Sequence, residues 1–246
     1  MDKPVLTVGT LLASARELIT NQTIQKARSK FPADPVSFAS ALASAYKNRV
    51  EVRYGTLQYD EATKGKIEKI SRWITDPTTK TSLILYGSVG TGKSTLIYAL
   101  VDTIEATKSI LKNKVNPGDC VGDIARLEAY PTPCIVSAQE LANSGAASQQ
   151  TGSDLFWRYK NKVQFLVIDD LGCEPAVVKN FGTEITPVMD VIYARYNNNL
   201  PTIITTNLDF PSIKKIYGER IADRITEVYE KLAFNQRSYR DLFIRK

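Results

Sequence analysis

The sequence predicts an α/β fold, a parallel sheet with helices on both faces, preceded by a small helical region. Three observations carry this. A short apolar run at residues 82–86 breaks into the glycine-rich loop Gly87–Ser–Val–Gly–Thr–Gly–Lys93–Ser94. Further short apolar runs at 134–137, 165–169 and 202–206, with a weaker one at 232–234, read as buried strands. Helical patterns at 93–107, 139–159, 184–197 and 220–229 alternate with them, and such alternation builds a parallel sheet covered on both sides.

The loop is a Walker A pattern: Gly87, four residues, then Gly92-Lys93-Ser94. With glycine at about 7% of residues, these four fixed positions co-occur by chance in about one chain in a hundred of this length. A strand before the loop and an apolar-periodic helix after it (Leu96, Ala99, Leu100, Thr103, Ile104) supply the context that the motif needs. Glycines let the backbone turn its N–H groups toward phosphate, and the helix adds the positive end of its dipole. The expected ligand is ATP with Mg2+. Residues Gly87, Ser88, Val89, Gly90, Thr91, Gly92, Lys93, Ser94 and Thr95 form the cradle. Lys93 reaches the β/γ-phosphates, and the Ser94 hydroxyl ligates the metal.

The strand FLVIDD delivers Asp169 to the sheet's carboxyl edge, where it is expected to hold Mg2+. Asp170 is expected to orient or deprotonate the attacking water. The strand TIITTN ends at Asn207, placed to sense the γ-phosphate or the lytic water. In GERIADR, Arg220 and Arg224 stand four apart on one helical face. Arg220 is the candidate arginine finger; Arg224 either supports it or pairs with Glu227.

Ahead of the loop, Leu11, Leu12, Ala15, Leu18 and Ile19 share one helical face. So do Phe38, Ala41, Leu42, Ala45 and Tyr46, after the breakers Pro32 and Pro35. A third helix is expected over 62–74, capped by Asp60, with Ile67, Ile70 and Ile74 inward. The helix over 139–159 is expected to break at Gly145 and Gly152. Residues 108–132 form a long connection, with a short helix expected at 122–129.

Bulk composition excludes several classes. The 246 residues are 43% hydrophobic and 24% charged, enough for one α/β domain with a small appendage. No apolar run approaches a membrane span. Residues 5–15 have the length of a signal-peptide core, but Thr7, Gly9 and Thr10 interrupt it and Asp2 offsets Lys3. The expectation is a cytoplasmic protein. Cys120, Cys134 and Cys173 form no CxxC pair, so neither a disulfide framework nor a zinc site follows. The absence of histidine excludes histidine acid–base chemistry and His-ligated metals, and leaves a carboxylate, or water held by one, as the base. A net charge of +6 mildly favours a polyanionic partner.

Together YGSVGTGKST, FLVIDDLG, RY followed by LPTIITTNL, YGERIADRI and the late SYR resemble the DnaC/IstB group of AAA+ ATPases over about residues 80–246. That group includes replicative-helicase loaders and a transposition helper. The resemblance implies an AAA+ ATPase domain at 77–246 and a helical partner-binding region at 1–76. It implies a nucleotide-dependent homo-oligomer with ATP held between subunits and Arg220 reaching into the neighbour's site. It also implies single-stranded DNA as a partner and a replicative helicase (or a transposase) as another. Arg240, in SYR, is implied as a nucleotide contact. The chain departs from many AAA+ proteins in its Asp-Asp at Walker B, which fits a slow switch rather than a fast motor. A helical lid after the finger is expected to be missing or vestigial, as is usual in this group, and the first 75 residues show none of the zinc-binding cysteines of some loaders. The helicase loader is the first reading; a transposition helper and a DNA-independent adaptor are the alternatives. Lys162, Lys179, Lys214, Lys215 and Arg237 are the basic residues considered for a DNA path.

Overall fold

The computed structural model describes residues 30–55, 60–114, 129–151, 154–180, 183–236 and 238–239. The amphipathic pattern at 11–19, the short helix expected at 122–129, the break at Gly152, and Arg237 and Arg240 lie outside the described residues, Ala129 alone excepted.

Two helices open the described chain. Helix α1 (Pro35–Tyr54) starts where the Asp34 side chain accepts the Ser37 N–H, with Pro35 in its first turn, and stops at Gly55 in the left-handed conformation (φ 79°). It buries Phe38, Leu42, Tyr46 and Val50, while Ala41 stays exposed. Helix α2 (Glu61–Thr75) is capped by Asp60, which accepts the Thr63 N–H at 2.7 Å. Gly65 costs this helix about 1 kcal/mol relative to alanine. Burial of Ile67, Ile70, Trp73 and Ile74, each contributing about 1.5–3 kcal/mol, outweighs that. Tertiary packing, not propensity, therefore holds α2 in place.

The sheet has five parallel strands: β1 (Ser82–Gly87), β2 (Cys134–Ser137), β3 (Leu166–Leu171), β6 (Thr202–Thr206) and β7 (Tyr229–Phe234). Their spatial order is β2-β3-β6-β1-β7. The order places β6 between the strand that feeds the glycine loop and the strand that carries the two aspartates. A separate antiparallel hairpin joins β4 (Val178–Asn180) to β5 (Thr183–Ile185).

Strand alternation divides the core into two faces. Leu83, Leu85, Val167, Ile203 and Leu232 face α1, α2 and α3 (Lys93–Lys114). Ile84, Leu166, Ile168 and Ile204 face the opposite layer. That layer holds α4 (Ala138–Thr151), α6 (Pro187–Asn197), α7 (Phe210–Tyr217) and α8 (Glu219–Val228), with α5 (Asp154–Asn161) packed on α4 and α6. Helices thus cover both sides of a parallel sheet, as expected. Among the described residues no helix is long and apolar enough to cross a membrane.

Several local expectations change: α3 runs on to Lys114, into the connection expected at 108–132, and β7 starts at Tyr229. The helix expected from 184 begins at Pro187, because proline suits a first turn and residues 183–185 pair with β4. Helix α7 is an element the apolar pattern does not announce; Asp209 caps it by accepting the Ser212 N–H. Helix α4 runs through Gly145 without a break. A methyl group there would lie 2.4 Å from Pro187 Cβ, so this glycine serves close packing of α4 on α6. Gly145→Ala is therefore expected to destabilise the fold by about 1–3 kcal/mol despite alanine's better helix propensity, read as a lower urea midpoint.

Candidate functional site

The glycine loop connects β1 to α3 through three residues with positive φ: Gly87 (124°), Gly90 (77°) and Gly92 (88°). At Gly87 the need is also steric, since an added methyl would sit 2.4 Å from the Phe234 carbonyl oxygen of β7. At Gly92 it would meet the Tyr46 hydroxyl at 2.9 Å. Thr91 Oγ1 donates to the Ser88 carbonyl at 2.8 Å and the Leu96 N–H donates to Gly92, so the loop winds directly into the first turn of α3. Ser88 donates its N–H to Phe234, Val89 is exposed at the tip, and Thr95 is half-buried on the α1 side.

Lys93 is 5% exposed. Its Nζ donates to the carbonyls of Gly87 (2.9 Å) and Ser88 (2.7 Å) and to Asn207 Oδ1 (2.7 Å). The ends of β1 and β6 are thereby joined through the loop lysine. Asp169, at the end of β3, is 7% exposed. Its Oδ1 accepts from Ser94 Oγ at 2.9 Å and from Thr205 Oγ1, and its Oδ2 accepts from the Tyr98 hydroxyl at 2.8 Å. Burial, and then the hydrogen bond to Asp169, push the Tyr98 phenol up to about 12, so it remains a donor at neutral pH.

Asp170 follows in the left-handed region (φ 56°), rare for a residue with a side chain. Its N–H is held by Thr205 Oγ1 at 2.9 Å, and the β3–β6 register shifts at this point. Asp169 is buried, and the next carboxylate, Asp170, is exposed to solvent.

A hard carboxylate oxygen beside a hydroxyl suits Mg2+, which takes one or two protein oxygens and keeps waters and phosphate oxygens for the rest. The buried ammonium and the N-terminus of α3 suit phosphate. The residues present therefore fit ATP–Mg2+ at Gly87–Thr95, Asp169 and Asn207.

Arg220 is not brought into this cluster. It lies exposed on α8, with its guanidinium 5.5 Å from the Tyr193 ring centroid. Helix α8 belongs to the face opposite α3. Arg224 stacks on Tyr196 at 4.6 Å and approaches Glu227 at 4.0 Å.

The sequence reading missed four contributors. Tyr98 and Thr205 hold Asp169. Tyr98 stands at i+4 from Ser94, a spacing that was readable, whereas Thr205 acts across strands. The other two are Gln236 and Tyr239, from the segment after β7. Tyr239 donates its N–H to Gly90 at 2.9 Å, and Gln236 Nε2 donates to Thr91 at 3.2 Å. The Tyr239 hydroxyl lies 2.8 Å from Thr63 Oγ1 of α2. This segment straps the glycine loop to α2.

No protein-family profile and no curated protein matches the chain. Solved structures do. A crystal structure of the DnaC helicase loader matches with TM-score 0.52 at 19% identity, over 74% of this chain and 94% of that one. The chain has the AAA+ P-loop fold. A candidate primosome component from Streptococcus pyogenes serotype M3 matches with TM-score 0.50 at 16% identity, over 88% of this chain and 99% of that one. The replication initiator DnaA, bound to AMPPCP and single-stranded DNA, matches with TM-score 0.50 at 15% identity, over 74% of this chain and 49% of its own. These neighbours agree with the DnaC/IstB resemblance of the AAA+ motifs. Among the described residues no group of His, Cys, Asp and Glu forms a further metal cluster.

Proposed function

We propose that the chain is an ATP-binding and ATP-hydrolysing AAA+ protein that acts in DNA replication as a helicase loader. The observation that carries this reading is the convergence of Lys93, Asn207, Ser94 and Asp169 at one edge of the sheet. Lys93 and the loop amides bind the phosphates; Ser94 and Asp169 hold Mg2+, which when bound neutralises charge on the β/γ-phosphates. Asp170 orients the attacking water from its exposed position, and Asn207 holds the γ-phosphate end in register with Lys93. No lone side chain in this set replaces the guanidinium that phosphoryl transfer uses. Arg220, on the far face, supplies it to the site of the next protomer in a nucleotide-dependent homo-oligomer.

Residues 1–76 are the region that grips the helicase in this reading, and the AAA+ domain is 77–246. Among the basic residues named for a DNA path whose side chains are described, Lys162 is set against an exposed aromatic: its ammonium lies 5.2 Å from the centroid of Trp157, which is 47% exposed. Base stacking beside a cation is the chemistry of single-strand binding. Lys214 instead pairs with Glu219, and the Lys179 side chain is outside the described residues.

The test is a gel shift with single- and double-stranded oligonucleotides, with and without a non-hydrolysable ATP analogue. ATP-dependent single-strand binding is the expected result. A strict duplex preference favours a transposition helper, and no binding under any condition favours a DNA-independent adaptor. In the same assembly, Arg220→Ala is expected to lower hydrolysis by about 10³-fold or more while sparing nucleotide binding. Normal turnover by that variant in dilute, monomeric protein overturns the trans arrangement.

A further inference from the structure

Asp169 has a partner whose role extends past the shared ATPase parts. Tyr98 stands one helical turn after Ser94 on α3, so both side chains rise from one face of the helix. They grip opposite oxygens of the same carboxylate, Ser94 at Oδ1 (2.9 Å) and Tyr98 at Oδ2 (2.8 Å). A buried carboxylate that turns to meet a cation loses whichever hydrogen bond does not turn with it. With Tyr98 in place, Oδ2 is anchored and Oδ1 stays beside Ser94.

The ring of Tyr98 is itself held from α1. The Arg49 guanidinium lies 5.4 Å from its centroid. Arg49 also forks onto Asp102, one turn further along α3, with Nη2 2.7 Å from Oδ1. These three residues line a groove of about 670 Å³ between α1 and α3. The chain of contacts thus runs from α1, through a cation and a phenol, to the strand-end carboxylate.

We propose that Tyr98 is a positioning residue for the Mg2+-binding carboxylate, and that Arg49 sets the Tyr98 ring so that the seating of α1 is relayed to Asp169. The proposal rests on the reading of Ser94 and Asp169 as the Mg2+ site. Partners that orient a metal ligand from behind change metal affinity by about 10–100-fold when removed.

The test uses the full chain and a fluorescent ATP analogue, titrated with Mg2+ and repeated in EDTA, with Asp169→Asn as the reference variant. Tyr98→Phe is expected to keep a cooperative melting transition, lowered by a few degrees, and the EDTA affinity, and to raise the Mg2+ concentration at half-effect about tenfold. Arg49→Ala is expected to raise it about threefold, the size of a partly exposed cation–π contact, and to add nothing in the Tyr98→Phe background. A midpoint that moves in Asp169→Asn but not in Tyr98→Phe overturns the role of Tyr98 and leaves the ATP site standing. Independent, multiplying effects of Arg49→Ala and Tyr98→Phe overturn the relay. No Mg2+ dependence in the unaltered protein overturns the ATP–Mg2+ reading and this one with it.

Discussion

Lys93→Ala is expected to abolish ATP binding. Lys93 is 5% exposed, and its ammonium has oxygens of Gly87, Ser88 and Asn207 around it. Hydrogen bonds made by a charged group contribute about 1.5–3 kcal/mol each. Loss of two such bonds to the phosphates weakens binding by about 10²–10⁴-fold. The same substitution leaves two loop carbonyls and the Asn207 amide without their cation, so a modest fall in stability accompanies it. Isothermal titration with ATP, beside a thermal melt, separates the two effects. Retained affinity in a folded variant would refute the phosphate site.

Arg195→Met is expected to give the largest loss of stability. Arg195 is 1% exposed, and its guanidinium reaches the carbonyls of Tyr159 (3.0 Å), Val163 (2.6 Å) and Pro201 (2.7 Å) and the Thr202 hydroxyl (2.8 Å). Burial pulls its pKa down to about 10, still well above neutrality, so the group remains cationic in the fold. Methionine matches much of the volume but strands these acceptors away from water, at a cost of about 3–5 kcal/mol. Lysine restores the charge without the planar fork and is expected to rescue only part of it. A urea titration reads the effect as a lowered midpoint at unchanged slope. An Arg195→Met midpoint equal to that of the unaltered chain would show that the acceptors find other donors. The site feels this residue too: Arg195 ties the entries of β3 and β6, and these strands carry Asp169 and lead into Asn207.

Local pattern made much of this readable. The glycine loop, the strand before it and the helix after it are contiguous, so residue type alone announced them. Asp60 stands out as a cap because capping acts within three residues. The apolar runs marked the central strands β1, β3 and β6 because a strand buried on both faces has no polar alternation to disguise it, whereas the edge strand β7, with Glu230 and Lys231 exposed, was marked only over its last three residues. Gly145 misled because a glycine's local preference and its packing role have opposite consequences for a helix. Tyr98 escaped notice because an aromatic at helical spacing resembles a core residue until its hydroxyl is placed. Arg195 escaped because a charged side chain on a helix ordinarily faces water, and two of the carbonyls that hold it, from Tyr159 and Val163, lie more than thirty residues away.

What the amino-acid order determined alone is a chemistry: a turn built to cradle phosphate, acids at a strand end, and an asparagine and an arginine later in the chain. What tertiary structure decided is who meets whom. Strand order set β6 between the loop strand and the acidic strand, and so joined Asn207 to Lys93. It also assigned Arg220 to the far layer and bedded α1 against the helix that bears Tyr98. The physical reason is range. Turn geometry, capping and side-chain period act over a few residues, whereas strand neighbours and layer assignment come from how a whole chain buries its apolar surface.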